Sequence, residues 1–586
     1  MRALAGALLA ASLALPAFGQ PAAARLEALA HEALEGEHDL YPAFETYRVG
    51  AGPRQGKMED WYSAAHRERE RAFRRDILAR ARAIPVAGLD ETQAITRALL
   101  VEDSQRELAR LDIPFLEHAI LTQTAYGLAP QTIFLVSLQP LRDEADYEAW
   151  MSRLARFPSL LSSARTVLQR GLATGVVTPA VLVRAAIRQW EALAPEDPVT
   201  STLWNPIGKF PASLDDKARA RIEKKYRALL EAEVLPAMRA FTAFARDTYL
   251  PRARASDGLG AVPGGDRMYR VLARQHTTTE LTPDEIHELG LAEVRRIQTQ
   301  LLIVAQRSGF KGEMRDLGSW LESRTENYPF ATPDDVLRHL REMHETRIMP
   351  HVHKLFRRVP KAALEIRLVE PELAATASAS YSRPPADGSR PGVFRIPVLD
   401  ARKTALHRMR SLLAHEAVPG HHFEIALADE LDVPAFRRYY RTVAFGEGWA
   451  LYAESLGHAI DLYDEPLSLM GRYLGELFRA ARLVVDTGLH AKGWTRERAI
   501  RYMMEEGGSA EQQATSEVQR YMANPGQALG YKVGELTITD LRMQAERRLG
   551  ERFDVKEFHE VLLGQGHMPL SMLRTRIGAW IEARAP

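Results

Sequence analysis

Apolar residues recur at intervals of three and four positions through most of the first half of the chain. The pattern runs from Leu26 to about Tyr249 and contains runs such as Tyr147, Trp150, Met151 and Leu154. This spacing places apolar side chains on one face of an α-helix. With 46% hydrophobic residues among 586, the chain can also bury a sizeable core. The sequence therefore predicts a large, mainly α-helical fold.

One stretch departs from the helical pattern. Between residues 364 and 398, three segments rich in β-branched, aromatic and small residues favour extended structure, and a cluster of proline and glycine at 384–388 indicates a turn. The three segments are Leu364–Val369, Ala374–Tyr381 and Val393–Ile396. We expect a small β-sheet here, immediately before the segment richest in chemically active side chains. An exposed edge at Ser378–Tyr381 or Val393–Ile396 would bind peptide backbone by strand addition, with Tyr381 at the substrate.

Charge and cysteine content exclude several classes of function. Lys+Arg and Asp+Glu number 77 and 76, for a net charge of +1, so nothing favours a nucleic-acid partner. Cysteine is absent, which excludes disulfides, thiolate metal sites, a cysteine nucleophile and a lipid-modified cysteine. Any metal must therefore be held by histidine and carboxylate side chains.

The N-terminus is typical of a secretory signal. Arg2 precedes an apolar stretch from Ala3 to Ala17, and small residues at Ala17 and Gly19 indicate cleavage near Gly19. We predict a signal peptide within residues 1–24, with an uncleaved anchor as the alternative. No later stretch is apolar over the roughly 18 residues that a membrane-spanning helix needs. The expected location is periplasmic or secreted, with no stable membrane span after cleavage.

The sequence His415-Glu416-Ala-Val-Pro-Gly-His421-His422 resembles the zinc-binding pattern His-Glu-x-x-His but is two residues longer. In a regular helix, residues six apart point about 120° apart and could not share one Zn²⁺. Pro419 and Gly420 supply the distortion, since proline cannot donate a helical hydrogen bond and glycine tolerates unusual dihedrals. If these two residues form a bulge, His421 is the second ligand and His422 a neighbour that either supports a residue of the site or faces substrate. A kinked helix with hydrogen-bonded histidines is the alternative.

A third ligand is expected further along the chain. Catalytic zinc sites use three protein ligands and leave one position open. Glu447 lies 26 residues beyond His421 in Phe-Gly-Glu-Gly-Trp-Ala, far enough for a second helix to turn back. Glu454, two helical turns later on the same face, is placed to orient a histidine ligand. We expect one Zn²⁺ per chain on His415, His421 and Glu447.

These motifs resemble those of the gluzincin peptidases, and the whole mature chain resembles the bacterial domain of unknown function 885 family. The markers are residues 415–422, 445–454, 482–490 and 524–532. The resemblance implies a mostly helical, gluzincin-like zinc metallopeptidase with the signature His-Glu-x-x-Pro-Gly-His. On that basis the chain divides into an N-terminal helical region, 25–330, and a zinc catalytic region, 331–586, within one continuous fold that has a central cleft.

Four later residues are weaker candidates. Asp486 and His490 are one helical turn apart, so Asp486 would orient a site histidine while His490 stabilises an oxyanion; a pair on a helix surface is the alternative. Tyr531 would donate to the same oxyanion, or else pack in the core. Arg520 would bind a substrate carboxylate.

The function that follows is zinc-dependent hydrolysis of peptide bonds in oligopeptides. Glu416 would take a proton from water and later deliver it to the leaving amine. The alternative is a non-catalytic periplasmic binding protein that retains a relic metal site. A di-iron helical bundle would need two Glu-x-x-His pairs, and only Glu35 and His38 have that spacing. Side-chain preference and oligomeric state stay open.

Overall fold

A computed structural model describes residues 21–124, 127–370, 374, 378–384 and 391–585. Residues 1–20 of the predicted signal peptide lie outside this part of the chain, as does most of the predicted turn at 384–388. The described residues are mainly α-helical with one small sheet, which confirms the predicted fold class.

The first half of the chain consists almost entirely of helices. Its α-helices are α1 Ala22–Leu40, α2 Pro42–Val49, α3 Ala64–Ala83, α4 Glu91–Leu111, α5 Phe115–Ala119, α6 Leu128–Leu138, α7 Glu144–Leu154, α8 Phe157–Thr174, α9 Ala180–Leu193, α10 Asn205–Gly208, α11 Asp216–Leu229, α12 Leu235–Ala243, α13 Gly265–Thr277 and α14 Pro283–Arg307. Thr282 caps α14 reciprocally with Glu285.

The second half continues with helices on either side of the sheet. They are α15 Leu317–Glu322, α16 Pro333–Met343, α17 Met409–Glu416, α18 His421–Asp429, α19 Ala435–Tyr439, α20 Val443–Leu456, α21 Pro466–Ala491, α22 Arg496–Glu505, α23 Glu511–Ala523, α24 Leu529–Leu549, α25 Val555–Leu563 and α26 Leu570–Arg584. Thr332 caps α16 through the backbone N–H of Asp335.

Short 3₁₀ and π turns join or extend these helices. The 3₁₀ turns are Pro198–Thr200, Thr202–Trp204, Leu250–Arg252, Leu259–Ala261, Met314–Asp316, Thr325–Asn327, Met349–Lys354, Ala401–Lys403, Leu406–Arg408, Gly457–Ile460 and Gly550–Arg552. The π segments are Leu230–Val234, Phe244–Tyr249 and His344–Ile348.

The sheet has three strands: β1 Leu364–Leu368, β2 Ser380–Ser382 and β3 Gly392–Ile396. Their order is β1-β3-β2, with β3 parallel to β1 and antiparallel to β2. Because β3 has a neighbour on both sides, the expectation that Val393–Ile396 offers a free edge is wrong. The edge strand nearest the site is β2, which is shorter than predicted.

The most extensive helix–helix contacts involve two pairs of helices. α14 packs along α21, and α20 crosses α24. At that crossing a Cβ on Gly448 would lie 2.5 Å from Cα of Gly534, so only glycine permits the backbones to approach so closely. The largest hydrophobic core contains residues from Leu26 to Ile581 and so crosses the boundary at 330. The division into two regions stays a prediction.

None of the helices in the described residues combines the length and the apolar character needed to cross a bilayer.

Candidate metal centre

The turn between α17 and α18 brings two histidines together. The expected bulge within one helix is wrong: α17 ends at Glu416, residues 417–420 form a turn, and a new helix begins at His421. Ala417 leaves helical geometry at φ −108°, ψ −109°. A Cβ on Gly420 would lie 1.9 Å from the carbonyl oxygen of His415, so the close approach of the turn to α17 requires glycine here.

A residue of α20 fixes this turn from the other side. Trp449 Nε1 donates a hydrogen bond to the carbonyl oxygen of Pro419 at 2.9 Å. Trp449 itself is fully buried. The aromatic residue of the Glu-Gly-Trp-Ala segment therefore connects the helix that carries Glu447 to the turn that places His421.

The three predicted metal ligands converge on one point. Glu447 Oε2 lies 3.6 Å from His415 Nε2 and 3.4 Å from His421 Nε2. One ligand atom from each side chain lies within 4.8 Å of the others, and the two imidazole planes are nearly perpendicular, at 87°. Two ligands about 2.1 Å from a tetrahedral ion are about 3.4 Å apart. The donor set and its spacing therefore fit a metal ion such as Zn²⁺.

A carboxylate faces the opposite nitrogen of each ring. Glu454 Oε1 accepts from His415 Nδ1 at 2.9 Å, and Glu424 Oε1 lies 3.8 Å from His421 Nδ1. Glu424 in turn contacts His567 Nε2 at 2.6 Å. The carboxylate on His415 Nδ1 leaves Nε2 of that ring with its lone pair towards the metal position.

Glu424 and His567 are absent from the residues that the sequence singles out. Glu424 lies three positions after His421 on α18, a spacing that puts both side chains on one helix face and could have identified it. His567 follows α25, distant in sequence from every motif, and only the tertiary structure brings it here.

The electrostatics of the cluster favour a bound cation. Burial alone would lower the pKa of His421, but the nearby carboxylates of Glu424 and Glu447 outweigh it and raise that pKa well above its usual value. Burial would raise the pKa of Glu447, but His415 and His421 hold it well below the ordinary range. These carboxylates stabilise positive charge in a buried place, as a metal ligand set must.

Glu416 and the three ligands share a cavity of about 740 Å³. Glu416 is the last residue of α17, and its side chain is buried in the cavity wall directly after His415. Ser378–Tyr381, including the start of β2, form another part of the wall. The cavity thus contains a carboxylate that is free of the metal ligand set, together with an edge strand.

Tyr381 and His422 form a pair at the sheet. The Tyr381 hydroxyl lies 3.0 Å from His422 Nδ1, and Tyr381 lines the cavity. His422 is buried beside β3, and burial lowers its pKa to about 4. His422 is not among the cavity-lining residues but contacts Tyr381, so its position agrees with the supporting alternative and not with direct contact to substrate.

Arg520 and Tyr531 lie together in the same wall. Arg520 Nη2 donates to the Tyr531 hydroxyl at 3.4 Å and to Gln527 Oε1 at 2.6 Å, while Nη1 donates to both Glu517 oxygens at 3.2 Å. The Arg482 guanidinium lies 4.4 Å from the centre of the Tyr531 ring. Both predicted residues therefore reach the cavity, and Arg520 already has a carboxylate partner.

Asp486 and His490 do not line the metal cavity, so the prediction that they act at the site is wrong. His490 Nδ1 accepts from the Leu259 N–H at 3.1 Å, and Nε2 contacts the Tyr521 carbonyl oxygen at 3.1 Å. Asp486 accepts from the Tyr269 hydroxyl at 2.6 Å and from the Gly526 N–H. Both side chains are fully buried and connect α21 to neighbouring helices and turns, so neither is available to the cavity.

A family model describes residues 42–577 as "Bacterial protein of unknown function (DUF885)". The chain belongs to this family. All four marker segments of the predicted resemblance fall within the matched range. No curated protein matches the chain.

Solved structures resemble this family member over nearly its whole length. The "putative lipoprotein" from Colwellia psychrerythraea is 28% identical with a TM-score of 0.88, covering 96% of this chain and 100% of its own. A "putative lipoprotein of unknown function" from Shewanella oneidensis is 18% identical with a TM-score of 0.75, covering 94% and 99%. Pyrococcus furiosus carboxypeptidase is 9% identical with a TM-score of 0.42, covering 97% and 99%, a likeness too low to support an inference.

Proposed function

We propose that this protein is a zinc-dependent peptidase in which His415, His421 and Glu447 bind one Zn²⁺ and Glu416 is the general base. The convergence of both Nε2 atoms on one Glu447 oxygen, beside Glu416 in an open cavity, carries the proposal. Two imidazoles and one carboxylate are a ligand set of catalytic zinc in hydrolases. Imidazole ligands also favour zinc over magnesium or calcium, which prefer oxygen.

Glu416 performs the proton transfers. A bound zinc ion lowers the pKa of water towards neutrality and polarises a carbonyl group. Glu416 follows His415 on α17, so its side chain projects about 100° from that ligand and has access to the cavity. Its carboxylate accepts a proton from the attacking water and delivers it to the leaving amine.

Other wall residues bind and orient the peptide. Tyr531 donates a hydrogen bond to the oxyanion that forms at the attacked carbonyl, and Arg520 holds the phenol in place at 3.4 Å. Glu454 orients His415 through its 2.9 Å hydrogen bond. β2 offers backbone N–H and C=O groups on its free side, and an extended peptide pairs with it beside Tyr381.

The substrates are oligopeptides in the cell envelope. A cavity of about 740 Å³ accommodates a few residues and excludes a folded protein. The periplasmic or secreted location rests on the predicted signal peptide and is supported by the two relatives described as putative lipoproteins. The net charge of +1 gives no support to a nucleic-acid partner.

The test combines metal analysis with a peptide-library digest. We expect about one zinc per chain, cleavage that a chelator abolishes and zinc restores, and cleavage slowed by roughly 10²–10⁴-fold in the Glu416→Gln variant with its zinc retained. Glu447→Ala should lose zinc, while the matched His422→Ala should keep it. Wild-type protein with full zinc that cleaves nothing would favour the non-catalytic binding protein instead.

A further inference from the structure

A second cavity lies in the N-terminal helices, about 550 Å³ in volume, and shares no lining residue with the metal cavity. Its walls are mostly apolar and aromatic, formed largely by α2–α6 and α8. Its volume falls within the range of small-molecule sites, roughly 300–1,000 Å³. The proposed peptidase activity uses no part of it.

The mouth of this cavity exposes aromatic side chains to solvent. Phe44, Tyr47 and Phe134 line the cavity and are 43%, 51% and 52% exposed. The rings of Tyr47 and Phe134 lie 5.8 Å apart. Large aromatic side chains so exposed around an apolar cavity are typical of an entrance for an apolar ligand.

Most charged groups in the wall are already paired. Arg74 contacts Glu37 and Asp103, and Arg110 contacts Glu70 and Glu107. These pairs leave little net charge in that part of the wall. They give no reason to expect a charged ligand.

Arg67 is the exception. Within the described residues, no carboxylate oxygen lies within 4.0 Å of its guanidinium, whose one hydrogen bond is from Nη2 to the Leu111 carbonyl oxygen at 3.3 Å. Arg67 is half-buried in α3. Burial lowers its pKa, and the nearby cations Arg170 and Arg110 add to that effect against Glu117. An anion at this position would compensate for both the burial and the surrounding positive charge.

We propose that this cavity binds an apolar molecule with one terminal carboxylate, the carboxylate on Arg67 and the apolar part among the aromatic side chains. Two sources have this chemistry: a fatty acid, and a short apolar peptide with a free C-terminus. The site is independent of the metal centre, so its test does not depend on the proposed peptidase activity.

Calorimetric titration tests the proposal with dodecanoate, dodecylammonium and acetyl-trileucine with a free or amidated C-terminus. We expect at least one of the two carboxylates to bind, and dodecylammonium and the amide not to bind. Which carboxylate binds identifies the source. Arg67→Gln should weaken binding by roughly 10- to 100-fold, as expected for loss of a hydrogen bond to a charged group. Arg75→Gln, an exposed arginine on the same helix, should bind like the wild type.

A second variant tests the apolar part. Ala43 lines the cavity and is only partly buried, so Ala43→Trp should fill the cavity at little cost to folding. We expect this variant to abolish binding of the carboxylate ligand. Peptide hydrolysis should be unchanged in all three variants. The proposal is overturned if no carboxylate binds, if dodecylammonium binds as well as dodecanoate, or if Arg67→Gln binds like Arg75→Gln.

Discussion

Replacing Gly420 by alanine places a methyl group between the turn and the end of α17, where no space exists. The new Cβ would lie 1.9 Å from the carbonyl oxygen of His415 and 2.4 Å from that of Ala414. Real Cβ atoms essentially never approach other atoms within 3.0 Å, so the turn must move by about 1 Å. Both obstacles are backbone atoms and cannot rotate away as a side chain would.

A displacement of this size separates the metal ligands. His421 directly follows Gly420, whereas His415 stays on α17, so the distance between their Nε2 atoms changes. Metal–ligand distances are held to about 0.2 Å, and changes that only disturb a ligand's supporting hydrogen bonds already cost roughly 10- to 100-fold in affinity. We expect Gly420→Ala to weaken zinc binding by more than about 100-fold.

The assay is a competition titration with a zinc chelator indicator, with circular dichroism to verify the fold. Gly578→Ala is the matched control, because a Cβ at this position in α26 meets nothing within 4 Å. This control should bind zinc like the wild type. A folded Gly420→Ala protein with the zinc affinity of the control would refute the reasoning, since the turn would not then determine the position of His421.

Three further predictions concern single side chains. Glu416→Gln should lower turnover by roughly 10²–10⁴-fold with zinc content unchanged, measured by peptide cleavage and metal analysis. Glu454→Gln should weaken zinc binding by roughly 10- to 100-fold in the competition titration, because His415 Nδ1 loses its carboxylate. Burial raises the pKa of Asp486 to about 7, so the folded protein keeps this carboxyl group protonated where the unfolded chain does not. The stability of the wild type should therefore fall as pH rises from about 4 to 7. Asp486→Asn lacks this titration, so the difference between its melting temperature and that of the wild type should increase over that range.

Each of these predictions has an outcome that contradicts it. Zinc loss from Glu416→Gln would make that residue a ligand and not a base. Unchanged zinc affinity in Glu454→Gln would mean that its hydrogen bond does not orient His415. If wild type and Asp486→Asn lose or gain stability in parallel from pH 4 to 7, the carboxyl group of Asp486 does not change its ionisation there.

Features that depend on local sequence were predictable. The helical periodicity of the first half and the strand-forming segments between residues 364 and 398 each indicate the structure that they form. The His415, His421 and Glu447 group was also predictable, because a metal site without cysteine needs histidine and carboxylate side chains and these residues resemble a known zinc-binding motif. The choice of His421 over His422 followed from spacing, and the structure places His421 in the cluster.

Features that depend on tertiary packing were not predictable from the pattern. A two-residue insertion in the motif is compatible with a bulge or with a complete helix break. The structure has the break, and it is stabilised by tertiary contacts such as the hydrogen bond from Trp449 to Pro419. His567 contacts Glu424, which is far from it in sequence, so no local motif indicates that it lies near the metal ligands. His490 is on a helix that passes near the site, but its ring points to Leu259 and Tyr521, which a helical repeat cannot reveal.

The most direct test of the central claim is a crystal structure of the zinc-loaded protein with data collected on both sides of the zinc absorption edge. We predict one anomalous peak per chain, about 2.1 Å from Nε2 of His415 and Nε2 of His421 and from a carboxylate oxygen of Glu447. We also predict an open coordination position towards Glu416. A peak on His422, or zinc that binds only elsewhere in the chain, would contradict this prediction.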